Sequence, residues 1–142
     1  MYRRILVPLE HSPADETILA HVRALGKRLG CAIVFLHVAD GWVARNIKEL
    51  ELRESEEMRE DRAYLQDICD RFEADGYDVD AVLAAGDPAK EIAAAAEREN
   101  CDLIAMATHG HRLLEDLVKG STATALRHQT TIPILMVRAD RK

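Results

Sequence analysis

The sequence predicts an α/β fold: an open, doubly wound, five-stranded parallel sheet with helices on both faces. Three observations carry that expectation. Short apolar runs alternate with segments whose apolar residues recur at helical spacing, the βαβαβαβαβ pattern of a parallel sheet. The run Ala32 to Val38 is apolar almost throughout, as a strand buried on both faces must be. Turn and capping residues cluster between the runs, at Ser12-Pro13, Gly30, Asp40-Gly41, Gly76 and Gly86-Asp87-Pro88. The 142 residues suit one domain, 1–142, with a substantial core.

The first strand is Arg4 to Leu9. Ser12-Pro13-Ala14-Asp15 then reads as a helix start, with Ser12 as cap, Pro13 at the first helical position and Asp15 completing a capping box. Ile18, Val22, Leu25 and Leu29 give that helix one apolar face, and Gly30 stops it. Strand two is Ala32 to Val38, broken by Asp40-Gly41, with His37 in its core or at its rim. A long helix follows, from about Val43 to Ala74. Lys48 to Arg62 holds eleven charged residues in fifteen, which reads as a solvated face, with Glu49 and Arg53 paired at i,i+4. Leu65, Ile68 and Phe72 are its buried side, Trp42 anchors its start, and Gly76 ends it. Strand three is Val79 to Ala84. Gly86-Asp87-Pro88 turns the chain into an alanine-rich helix, Ala89 to Glu99, that packs closely through Ile92 and Ala96. Strand four is Leu103 to Ala107. A last helix runs from about Thr122 to His128, and strand five is Ile132 to Val137. Pro133 cannot donate to a ladder, so strand five belongs at an edge.

Composition excludes several functions. A net charge of −6 argues against general binding to nucleic acid or anionic membranes, and leaves a local nucleotide site open. Aromatic residues are 4%, too few for a base-stacking platform. No run approaches the roughly 20 apolar residues of a membrane span, and the N-terminus lacks the apolar stretch of a secretory signal. Cys31, Cys69 and Cys101 form no CxxC and read as small buried thiols in a reducing compartment.

In a doubly wound sheet, ligands lie beyond the carboxyl ends of the strands, where the strand order reverses. Pro8-Leu9-Glu10, His37 to Asp40 and Ala107 to Gly110 occupy such ends. The last leads into nine residues, His111 to Lys119, and then Gly120-Ser121-Thr122. Glycine lets backbone approach a ligand closely, and amides at a helix start favour an anion. The stretch therefore reads as a phosphate cradle built of main chain. Neither GxxxxGK[ST] nor a GxGxxG after strand one is present.

The G-x-x-G-nine-G-[ST] spacing, with Ile5-Leu6-Val7-Pro8, Leu36-His37-Val38, Gly86-Asp87-Pro88 and Ile132-Pro133-Ile134-Leu135-Met136-Val137, resembles the universal stress protein family over the whole chain. It is similar to the family's nucleotide-binding branch. The resemblance implies strand order 3-2-1-4-5 with ATP, alone or with Mg²⁺, at the 1/4 switch point. It implies that Pro8 and Val38 line the adenine pocket and that Met106 and Ala107 lie by the ribose. Thr108, His109, Gly110, His111, Arg112 and Leu113, with Gly120, Ser121, Thr122 and Ala123, would hold the phosphates. It also implies a cytoplasmic homodimer joined through the last strand. Two positions depart from the family pattern. Ala107 replaces the first motif glycine, and its methyl crowds a ligand that needs the backbone close. Glu10 stands for the usual Asp beside Leu9, its carboxylate one methylene further out, still able to accept from a base amine or ribose hydroxyls.

His109 and His111 alternate on an extended chain, so they do not form a metal pair, and no residue is assigned a metal or catalytic role. The expected function is an ATP-binding stress-response or signalling module with at most slow hydrolysis, for which Glu10 or His109 are weak candidates. The alternative is a nucleotide-free dimeric interaction module that docks through Lys48 to Arg62. A small α/β enzyme would need a nucleophile facing the site, and Cys101 precedes strand four, at the wrong end of the sheet.

Overall fold

The computed structural model describes residues 2–40, 51–109 and 122–139. Its strands are β1 (Arg4–Leu9), β2 (Ala32–Asp40), β3 (Val79–Gly86), β4 (Leu103–His109) and β5 (Ile134–Ala139). Between them lie α1 (Asp15–Leu29), α2 (Glu51–Ala74), α3 (Pro88–Arg98) and a helical segment at 122–127, here α4. All strand pairs are parallel, in the order β3-β2-β1-β4-β5.

Strand alternation sorts the core into two layers. Ile5, Val7, Ile33, Phe35, Leu103 and Ala105 point to one face, where Ile18, Leu19 and Val22 of α1 meet Leu65, Ile68 and Phe72 of α2. Leu6, Val34, Leu36 and Ile104 point to the other, against Ala89, Ile92, Ala95 and Ala96 of α3 and Leu126 of α4. Residues 33–36 of β2 are all inaccessible to solvent, as a strand with helices on both sides requires.

Several of the expected stops hold. Gly30 and Gly76 take φ of 67° and 88° just past α1 and α2, which a side chain would resist. Asp87 caps α3 by accepting from Lys90 N–H at 3.1 Å, with Pro88 in the first turn. Pro133 offers only its carbonyl, accepting from Ile104 N–H at 2.9 Å, and β5 is an edge strand. Strand ends move: β2, β3 and β4 run two residues beyond the expected ends, and β5 is displaced two residues forward. Asp40 does not break β2, because its partner Gly86 continues the ladder. On α1 the buried stripe is Asp15, Ile18, Leu19, Val22 and Gly26. Leu29, expected on the apolar face, is 37% exposed, since the buried stripe runs through Leu19, Val22 and Gly26 and leaves Leu29 at its margin. Trp42, the 43–50 stretch and the Glu49–Arg53 pair lie outside the described residues and side chains.

Candidate functional site

The register of β1 creates the site. β1 pairs with β2 along its whole length, from Arg4↔Ala32 to Leu9↔His37. Its pairing with β4 stops after Leu6↔Ile104. β4 continues along β5 as far as His109↔Ala139. The two central strands therefore part at their carboxyl ends, at the point where the strand order reverses. Their amino ends are pinned together: the Asp102 carboxylate accepts from the N–H groups of Arg3 (2.9 Å) and Arg4 (3.1 Å).

The resulting crevice holds a cavity of about 350 Å³, within the range of small-molecule sites. Pro8, Leu9 and Glu10 supply one wall, Val38 and Leu36 the floor, and Met106, Ala107 and Thr108 the opposite wall. Pro88 and Ile92 of α3 and Thr122 and Ala123 of α4 close the side. Nine of the expected residues thus converge: Pro8, Leu9, Glu10, Val38, Met106, Ala107, Thr108, Thr122 and Ala123. The backbone of His109 ends β4 beside them. Gly110, His111, Arg112, Leu113, Gly120 and Ser121 lie outside the described residues.

Among the described lining residues, the polar groups are Glu10, Asp15, Thr108 and Thr122, and none is a cation. Such walls suit a flat, largely apolar heterocycle with a few hydrogen-bonding edges. Four lining residues were not anticipated there: Asp15, Leu36, Pro88 and Ile92. Pro88 and Ile92 follow the turn at the end of β3, one helical turn apart, which was a usable signal.

Asp15 does more than start a helix. The expected Ser12 cap is displaced: α1 starts at Asp15, and its N-cap Ala14 has no side-chain cap bond. Ser12 and Pro13 lie in the turn before it, because the Asp15 amide is taken by the Ser12 carbonyl. Ser12 Oγ accepts from Ala14 N–H at 3.3 Å, and the Asp15 carboxylate accepts from Ser12 N–H at 3.3 Å. The same carboxylate also accepts from the N–H groups of Glu10 (2.9 Å) and His11 (2.8 Å), and from Tyr64 Oη–H (2.5 Å). Burial raises the Tyr64 phenol above its ordinary value, and its bond to Asp15 raises it further.

Asp61 of α2 is a second buried acid. It meets His11 Nδ1 at 2.8 Å and lies 3.5 Å from His37 Nε2. His37 Nδ1 is 2.9 Å from the Leu9 carbonyl, which only accepts, so Nδ1 carries a proton. His37 is thus a rim residue that ties β2 to the end of β1. The rest of the described charged run, from Glu56 to Arg62, is largely solvated as expected.

A model of the universal stress protein family matches residues 1–138. The chain belongs to the universal stress protein family. Universal stress protein MJ0577 of Methanocaldococcus jannaschii is 26% identical over 155 residues, spanning 97% of this chain and 96% of that protein. The solved structure of MJ0577 superposes with a TM-score of 0.80 at 30% identity, over 100% of this chain and 99% of that one. A universal stress protein of Archaeoglobus fulgidus, solved in complex with dAMP, gives 0.66 at 16% identity over 96% of this chain and 98% of that one. A universal stress protein solved in complex with cAMP gives 0.69 at 14% identity over 96% of both chains. At those identities the last two establish the fold alone, and the nucleotides are those proteins' own. Among the described residues, no helix of this family member is long and apolar enough to cross a membrane.

Proposed function

We propose that residues 1–142 form one nucleotide-binding domain that holds ATP in the β1/β4 crevice and acts as a nucleotide-dependent stress-response module rather than a fast enzyme. The observation that carries this reading is the cavity itself: apolar, cation-poor and placed where the central strands part. Pro8, Leu9, Val38, Met106 and Ala107 enclose the adenine and ribose. Glu10 accepts hydrogen bonds from them. Thr108 and His109 lead the chain toward the phosphates, which Gly110, His111, Arg112, Leu113, Gly120, Ser121, Thr122 and Ala123 hold. Fold neighbours solved with dAMP and cAMP support an adenine nucleotide.

The Ala107 methyl is accommodated because Ala107 sits in a regular strand, paired with Val137. On this reading ATP is held or exchanged, with or without Mg²⁺, and turned over slowly at most; phosphoryl transfer would need a positioned nucleophile. The module works in the cytoplasm as a homodimer joined along β5.

The test is to denature purified protein and run the supernatant on an ion-exchange column, then titrate nucleotide-free protein with ATP by calorimetry. Stoichiometric adenine nucleotide, or a saturable ATP isotherm, is the expected result. An empty supernatant with no heat of binding leaves the nucleotide-free interaction module as the reading. Gly120→Val should abolish ATP binding in a folded protein, because a side chain there removes the close backbone approach that glycine allows.

A further inference from the structure

We propose that Asp15, Tyr64, His11 and Asp61 form a bracket that positions the loop Glu10–Ser12, so that the loop presents the Glu10 carboxylate, not its amides, to the nucleoside half of the ligand. The inference rests on the nucleotide-site reading above and assigns it four positioning residues.

Three consecutive amides, those of Glu10, His11 and Ser12, converge on one carboxylate. Consecutive N–H groups of this kind form a nest that ordinarily binds an external anion. Here the anion is internal. Asp15 is 1% exposed, and a buried carboxylate is tolerated only when hydrogen bonds replace its hydration. The three amides and the Tyr64 hydroxyl do so. The geometry needs His11 at φ 64°, a left-handed conformation that L side chains rarely adopt and that persists where surroundings over-determine it.

Those surroundings come from α2. The His11 ring stacks on Tyr64 with centroids 4.0 Å apart and planes at 21°. Its Nδ1 meets Asp61, which also faces His37 on β2. The strained residue is therefore held from α1, α2 and β2, and its neighbour Glu10 lines the cavity. Because the amides are spent on Asp15, this wall repels phosphate and attracts donors. Base amines and ribose hydroxyls are such donors. Phosphates are left to the opposite side of the crevice.

The test is a double-mutant cycle with ATP, read by calorimetry. Tyr64→Phe keeps the ring on His11 and removes the hydroxyl on Asp15. Neither Tyr64 nor its hydroxyl lines the cavity, so a loss must pass through the bracket. Tyr64→Phe is expected to weaken ATP roughly three- to tenfold, and Glu10→Ala to weaken it too. In the Glu10→Ala background Tyr64→Phe should add no further loss. Equal losses in both backgrounds would mean a general structural role and overturn the bracket, as would wild-type affinity in either single variant. Wild-type protein that binds no ATP overturns the site reading itself, and the bracket with it. Asp61→Asn, which alters the His11 contact without touching the cavity, is the second variant and should reproduce the same non-additivity.

Discussion

Asp61 sits in a run of charge that looks wholly solvated, yet it is buried and bound to two histidines. Its position explains this. Residues 61, 65, 68 and 72 recur at helical spacing, so Asp61 extends the buried stripe of Leu65, Ile68 and Phe72 toward the loop after β1. The spacing was visible in the chain, but charge masked it. Asp61→Ala would leave His11 Nδ1–H without its acceptor, and should destabilise the fold by about 1–3 kcal/mol in urea titrations. The cysteines behave oppositely to reactive thiols. Burial pushes Cys69 and Cys101 up to about 11 and raises Cys31 as well. The thiolate is the reactive form, and at pH 8 a thiol with that pKa is ionised in roughly one molecule in a thousand. Native protein should therefore react slowly with a disulfide reagent at pH 8, and all 3 thiols should titrate rapidly once denatured.

At the scale of elements, β1 and β4 are joined at one end and parted at the other. The joined end depends on Asp102. Burial pushes its carboxyl up, but the Arg3 and Arg4 amides outweigh that and hold it below its ordinary 3.8. A depressed folded pKa means that the unfolded chain binds the proton first as pH falls. The stabilisation is therefore complete above the ordinary value and lost as pH drops through the lowered one. Urea midpoints should show wild type ahead of Asp102→Ala at pH 6, with the gap closing as the pH falls below about 3.8. At the parted end, Val38→Trp should fill the crevice floor. It is expected to weaken ATP roughly tenfold or more while moving the Tm by no more than about 5 °C. A normal isotherm in that variant would place the base elsewhere. The periodicity of α1 was legible too, but not which edge of the stripe is covered: the buried line passes through Leu19 and Gly26, and Leu29 is exposed although its spacing matches Ile18 and Val22.

For the whole molecule, β3 and β5 are the open edges of one five-stranded sheet. β5 carries Met136, 46% exposed, one of two large apolar side chains so exposed among the described residues. An unpaired edge with exposed apolar surface favours pairing with another chain. For the homodimer proposed along β5, Met136→Lys should raise the dissociation constant roughly tenfold or more. Sedimentation equilibrium would read it, and an unchanged distribution would move the interface off β5. Alternating apolar runs and helical periods settled the α/β class, the element order and most of the core, because each reports a local repeat that survives without its neighbours. The glycine and proline stops were legible for the same reason: they act on their own backbone. The motif and its family resemblance anticipated the strand order and nine of the cavity's walls. Tertiary structure alone decided where β1 leaves β4, that Tyr64 reaches the Asp15 carboxylate, and that Asp61 lies inward. Those depend on which strands sit side by side and on which face of a helix meets the sheet, quantities that residues 49 or 50 positions apart cannot declare until the chain closes on itself.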